Sequence, residues 1–268
     1  MQPATAETVL GNFDNARLTQ FGVTTSFYKK DGKYMVNTEG PDGKLQDYEI
    51  KYAFGVQPLQ QYLIEFPGGR MQALSLAWDT RPQAQGGQRW FHLYPDEKIT
   101  HDDELHWTQP SQNWNSMCAE CHSTHVEKNY DPVSRTFSTS WSEIDVSCEA
   151  CHGPGSEHVA WAEHAPGWEK LSGKGLVISL DERKDVHWTK NPESGTAERS
   201  KVRDSDKEIE MCARCHARRS PISHDYVHGE ALLDHYLPRR LDEGMYFADG
   251  QIDDEVYVYG SFIQSRMY

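Results

Sequence analysis

Cys118-Ala119-Glu120-Cys121-His122, Cys148-Glu149-Ala150-Cys151-His152 and Cys212-Ala213-Arg214-Cys215-His216 are three copies of C-x-x-C-H in a chain of 268 residues. The motif is the attachment signature of a c-type haem. Two thiols add to the two vinyl groups of one porphyrin, and the adjacent histidine supplies an imidazole to the iron. The two-residue gap sets both sulfurs on one side of a helical turn. The histidine follows at once, where its ring swings under the macrocycle. All 6 cysteines fall in these motifs, so none is left for a disulfide or a catalytic thiol. Zinc is the competing reading, with Cys118, Cys121, Cys148 and Cys151 as a four-thiolate site. That reading strands Cys212 and Cys215 and makes three adjacent histidines a coincidence. A redox C-x-x-C needs a βαβ context that the flanking sequence lacks. The sequence therefore implies three covalently attached haem c groups, with His122, His152 and His216 as proximal ligands.

Composition agrees with that reading. Only 37% of residues are hydrophobic and the mean hydropathy is −0.77, which is polar for a chain that must build an interior. Three flat apolar macrocycles would supply the missing interior, and 8 Trp and 13 Tyr suit packing against them. The plainer reading makes most of these aromatics ordinary core residues. A formal charge of −14 argues against nucleic acid and suits redox partner proteins with basic faces. No stretch reaches the apolar length of a transmembrane segment. Met1-Gln2-Pro3-Ala4-Thr5 has neither the basic nor the apolar region of a signal peptide. Haem c is attached after export, so the leader is expected outside the chain shown. The expected location is periplasmic or otherwise extracytoplasmic.

Upstream of the motifs the pattern changes to strands. Residues 1–17 read as polar and helix-compatible. Phe21 to Tyr28 is β-branched and aromatic, Asp31-Gly32 is a turn, and Lys33 to Asn37 is the return strand. Pro41-Asp42-Gly43 turns the chain into Asp47–Phe54, and Tyr62–Phe66 pairs through Pro67-Gly68-Gly69-Arg70 with Met71–Trp78. Thr80 to Thr100 reads as a loop, Leu171 to Lys201 as a long connection, and Glu255 to Gly260 as strand-like. Asp145 is the expected cap of the helix bearing the second motif. Ser205 with Glu208 forms the expected capping box of the helix bearing the third. The expected fold class is α+β: an antiparallel β-meander N-terminal part plus a helical, loop-rich multihaem part. Residues 1–95 would be a β-rich scaffold and 96–268 the tri-haem part.

The sixth ligand of each iron separates electron transfer from catalysis. Thirteen histidines less three proximal ones leave His92, His101, His106, His125, His158, His164, His187, His224, His228 and His235. His125 lies three positions after His122, on the same side of a continued helix, so it would serve a neighbouring haem. His158 follows the Gly153-Pro154-Gly155 turn and would also ligate a different haem. Met117 and Met211 directly precede motif cysteines and read as packing residues.

Asn113-Trp114-Asn115-Ser116-Met117 with the first motif, and Val146-Ser147 with the second motif through His158, resemble the multihaem cytochromes of the cytochrome c-554 type. The likeness is greatest to the longer members that carry tetratricopeptide repeats, and it extends to His228-Gly229-Glu230 and Asp234-His235-Tyr236. The resemblance implies bis-histidine haems in close stacked pairs and an exported protein. It makes His158 the first choice of distal ligand, His228 the second and His106 the third. Members of that family usually carry further motifs on either side. Further haem or repeat domains in a longer chain are therefore expected.

Arg218-Arg219 and Arg239-Arg240 are candidate partners of haem propionates, since guanidinium matches carboxylate bidentately. Asp249 to Glu255 is acidic but fails the spacing of a calcium-binding loop. No Walker, nucleophile-elbow or dinucleotide fingerprint is present, and no catalytic residue is assigned. The chain reads as an electron carrier more than as an enzyme: closely spaced bis-histidine haems passing single electrons. The alternative is a multihaem oxidoreductase acting on a small nitrogen or sulfur compound at one five-coordinate iron.

Overall fold

Alternation of apolar and polar residues through the first hundred positions builds one antiparallel sheet. A computed structural model describes every residue of the chain except His224, Arg240, Arg266 and Met267. It divides into two compact units, Met1–Val146 and Ser147–Tyr268. In the first unit the strands are β1 (Gln2–Pro3), β2 (Ala16–Gln20), β3 (Val23–Lys30), β4 (Lys33–Glu39), β5 (Leu45–Phe54), β6 (Leu59–Phe66), β7 (Arg70–Ala73), β8 (Leu76–Asp79) and β9 (Arg89–His92). They form a nine-stranded sheet in the order β2-β3-β4-β5-β6-β8-β9, with β1 added on β5 and β7 on β6. The Asp31-Gly32 turn holds both residues at positive φ and closes the β3–β4 hairpin. The sheet curls until its two ends nearly meet. The Gln20 side-chain amide donates to the carbonyls of Tyr94 (3.1 Å) and Pro95 (3.0 Å), tying β2 to the chain that leaves β9.

The curl encloses an aromatic core. Phe27 stacks on Trp90 with centroids 3.5 Å apart, and Phe13 stands edge-on to Phe27, Tyr34, Tyr62 and Trp90. Each such pair adds about 0.5–1.5 kcal/mol beyond the area it buries. Tyr62, Leu63 and Ile64 are all buried on β6, where both faces of the strand are covered. On the other face Leu63, Met71 and Ala73 pack against Trp114 of the short helix α1 (Trp114–Met117). Helix α2 (Ala119–His122) and the hairpin β10 (Tyr130–Asp131) and β11 (Thr136–Phe137) complete the unit.

The second unit has short elements throughout. These are α3 (Cys148–His152), α4 (Ser156–Ala162), the hairpin β12 (Trp188–Lys190) with β13 (Ala197–Arg199), and α5 (Lys207–His216). After them come β14 (Arg219–Pro221), α6 (Leu232–His235), β15 (Tyr236–Pro238) paired with β14, and α7 (Val258–Phe262). Its apolar cluster is small: Ala213, Ala217, Leu232 and Tyr236.

This architecture overturns the α+β expectation. The fold is mostly antiparallel sheet, dominated by a nearly closed barrel-like sheet with several small sheets, and only 20% of it is helix. The helices that carry motifs are one to three turns long, so the motif region has no helical layer of its own. Local readings shift for physical reasons. Residues 1–17 form no helix, because Phe13 is drawn into the barrel core and β1 pairs with β5. The Thr80–Thr100 loop contains β9, whose Trp90 is a core residue. The long connection contains the β12–β13 hairpin, and the strand-like Glu255–Gly260 turns into α7 after Tyr257 takes φ +60°.

Candidate functional site

None of the six cysteines is joined in a disulfide. In the first unit, Cys118 caps α1 and opens α2, which ends on His122. This turn is anchored by polar side chains that the sequence reading passed over. Asn113 is the N-cap of α1, its Oδ1 accepting from the Ser116 amide at 3.0 Å while its Nδ2 donates to Gln72 Oε1 at 3.2 Å. Asn115, buried two positions on, accepts from the Met71 amide at 2.8 Å and donates to Thr139 Oγ1 at 2.9 Å. Burial pushes the Cys118 thiol up to about 11 and lowers the pKa of His122. Met117 departs from its reading as a packing residue, since it is 61% exposed, whereas Met211 is buried.

In the second unit α3 presents the second motif. Its N-cap is Ser147, without a side-chain cap bond, in place of the expected Asp145. At the third motif the N-cap is Asp206, and Ser205 accepts from the Lys207 amide (3.2 Å) rather than closing a box with Glu208. The Glu208 amide donates instead to Glu182 Oε1 at 3.3 Å. The two motifs lie within one hydrogen bond of each other. Arg214, inside the third, donates from Nη1 to the carbonyl of Ala150, inside the second, at 3.0 Å. Arg214 also stacks on Tyr226, with its guanidinium 4.2 Å from the ring centroid. Burial is the main cause that raises the Cys151 and Cys212 pKa values, and the mutual proximity of Cys151, Cys212 and Cys215 adds to it. Among the described residues no three His, Cys, Asp or Glu side chains form a group that could hold a metal ion.

The histidines separate by what their rings do. His152 Nδ1 lies 3.2 Å from the Ile178 carbonyl, and His158 Nδ1 lies 2.8 Å from the Lys174 carbonyl. A carbonyl only accepts, so both rings carry their proton on Nδ1, which leaves the Nε2 lone pair for another partner. His228 packs over Gly153, with its Nε2 3.2 Å from the Ala150 carbonyl and 3.4 Å from Arg214 Nη1. His106 is buried in the first unit, Nδ1 against Thr108 Oγ1 at 2.8 Å and Nε2 3.7 Å from Glu39, and burial lowers its pKa to about 4. His125 is not on a continued helix: α2 stops at His122, and His125 has positive φ and meets Ser142 Oγ at 3.1 Å. His224 lies outside the described residues.

Beside the third motif is a cavity of about 380 Å³. Cys212 and His216 open onto it, and Ile209, Trp188, Val258 and Phe262 make its lining largely apolar. Arg183, Arg199 and Arg203 stand around it, with Glu208 paired to Arg183 and keeping a buried carboxylate oxygen without a partner. Thiol, imidazole, apolar wall and guanidinium groups are the donor set that a flat macrocycle with two carboxylates requires. The fit at this motif is therefore good. The arginines expected for that role are engaged elsewhere: Arg218 on the Glu255 carbonyl, Arg219 against the Tyr236 ring, Arg239 near Asp242. Arg240 lies outside the described residues. The cavity-lining arginines come from two segments, Arg183 from one and Arg199 with Arg203 from the other, and nothing in their local sequence marks them.

Residues 77–153 match the family model described as cytochrome c554 and c-prime. The matched segment runs from β8 to the end of the second motif. The match covers less than a third of the chain and shows a likeness of that segment to c-type cytochromes of the c554 type. No curated protein and no solved structure matches the chain. Among the described residues no helix is long and apolar enough to cross a membrane.

Proposed function

We propose that the protein is a tri-haem electron-transfer cytochrome. Cys118 and Cys121, Cys148 and Cys151, and Cys212 and Cys215 each hold one haem c, with His122, His152 and His216 as the respective proximal ligands. The observation that carries the reading is the pair of Nδ1 hydrogen bonds of His152 and His158. Metal-ligating histidines characteristically fix their tautomer by donating the other ring proton to a carbonyl. Two rings in the motif unit are set in that state, one in a motif and one at the first-choice distal position. His158 is therefore the leading distal ligand, His228 the next and His106 the third. The engagement of both His106 ring nitrogens inside the first unit weighs against it.

Haem iron cycles between ferric and ferrous states and so passes one electron at a time. The chain's own part is to hold the groups close and to set their surroundings. The Arg214–Ala150 hydrogen bond supports close spacing of the second and third haems. Arg183, Arg199 and Arg203 are suited to meet the propionates of the third. The acidic composition suits basic redox proteins, and covalent haem attachment goes with an extracytoplasmic location. Bis-histidine iron is low-spin. Low-temperature EPR of the ferric protein tests the reading: low-spin signals are expected throughout, and a spectrum dominated by high-spin ferric iron would overturn it in favour of an open, catalytic haem.

A further inference from the structure

Against the barrel-like sheet of the first unit lies another cavity, open to solvent on one side, of about 510 Å³, whose lining includes no residue of any C-x-x-C-H motif. Its size suits one small organic ligand, and closed sheets of about this strand number commonly hold one. Thr25 and Thr38 line it with hydroxyls 2.7 Å apart. Ser75 lines it too, only 4% exposed, and its buried hydroxyl makes no hydrogen bond. A buried hydroxyl without a partner requires an explanation, and a bound ligand is one. Trp107 gives the cavity a fixed aromatic wall, its indole N–H held by the Glu39 carbonyl at 2.8 Å. The charged lining is unequal: Glu39, Glu97 and Asp102 face a single Lys98, with His92, His101 and His106 also in the wall, His106 Nε2 3.7 Å from Glu39 and His101 Nε2 3.4 Å from Asp102. Three carboxylates against one ammonium disfavour an anion. The absence of a metal-holding group among the described residues disfavours a bare metal ion.

We propose that this cavity binds a small organic ammonium ion, with the Glu39 carboxylate as counter-charge, the Trp107 ring as cation–π wall and the Ser75 hydroxyl as acceptor. No C-x-x-C-H residue takes part, although His106, the third choice of distal ligand, lines the same cavity beside Glu39. Calorimetric titration of the haem-loaded protein with methylammonium, ethanolammonium and choline tests it, with acetate and glycerol as controls. At least one ammonium probe is expected to bind saturably without moving the haem absorption bands, while the controls do not bind. Glu39→Gln is expected to weaken that binding roughly tenfold and Ser75→Ala by a smaller factor. Both variants are expected to keep the wild-type haem spectrum and circular dichroism. Absence of saturable binding by all three probes would overturn the proposal. So would equal binding of acetate or glycerol, or affinity unchanged in both variants. Binding that shifts the haem bands and ignores Glu39→Gln would place the amine on iron and overturn it as well.

Discussion

His152 and His158 show how a single proton position decides what a ring can do. With Nδ1 donating to a main-chain carbonyl, each presents Nε2 outward. Replacing His158 by Ala is expected to convert one haem of the ferric protein from low to high spin, read by EPR, while haem content stays the same. An unchanged spectrum would remove His158 from the ligand set. Asp79 gives a residue-scale prediction in the barrel. The Arg81 guanidinium beside it holds its carboxyl at about 2, below the ordinary carboxylate range. A carboxyl depressed on folding contributes stability above its unfolded pKa and loses it as pH falls through the folded value. Thermal melts are therefore expected to lose stability between about pH 4 and pH 2. Asp79→Asn should flatten that part of the profile and lower the plateau above it. At this scale the motif cysteines and histidines were plain in the sequence, because their spacing is the chemistry. The lone donors around them were not. Asn113 and Asn115 reach Gln72, Met71 and Thr139, partners remote in sequence, and no local pattern announces such pairs.

Short motif-bearing turns depend on what they dock against. Helix α1 is a single turn, too short to persist alone, and is held by its Asn113 cap and the β7 contacts. Asn113→Ala is expected to destabilise the first unit by about 1–2 kcal/mol in denaturant unfolding. A change below the error of the measurement would show that the cap contributes nothing. Gly153 ends α3 at φ +74°, and a Cβ there would come within 3.2 Å of both His228 and Val177. Gly153→Ala combines left-handed strain with crowding of His228, and should cost about 1–3 kcal/mol and loosen the second-motif haem environment. The check is denaturant unfolding with circular dichroism of the haem bands. The hairpin of β3 and β4 was legible because Asp31-Gly32 and the alternation agree. Strand β9 was not, because Gln and Gly surround a four-residue segment whose only strong signal is Arg89–His92 itself. Helix α7 was misread because Glu255–Gly260 has strand-like residues, yet Tyr257 breaks the extended path.

At the scale of the whole molecule, the sequence suggested a helical motif region because each motif implies a helical turn. The turns exist, but they end within one to three turns. The intervening chain makes hairpins instead, so sheet dominates. The polar composition is consistent with this: the second unit's apolar cluster is two alanines, a leucine and a tyrosine, and a cavity lies beside Cys212 and His216. The charge of −14 bears on partners. Electron exchange with a basic redox protein should slow as ionic strength rises, because steering between opposite charges is screened over about 8 Å at physiological salt. Stopped-flow rates that ignore salt would exclude electrostatic docking. The most direct test of the whole account is a pyridine haemochrome assay joined to intact mass of the exported protein. The account predicts three covalently bound haems per chain, one for each C-x-x-C-H. A colourless protein, a zinc-loaded one, or a mass showing no thioether-linked porphyrin would contradict it.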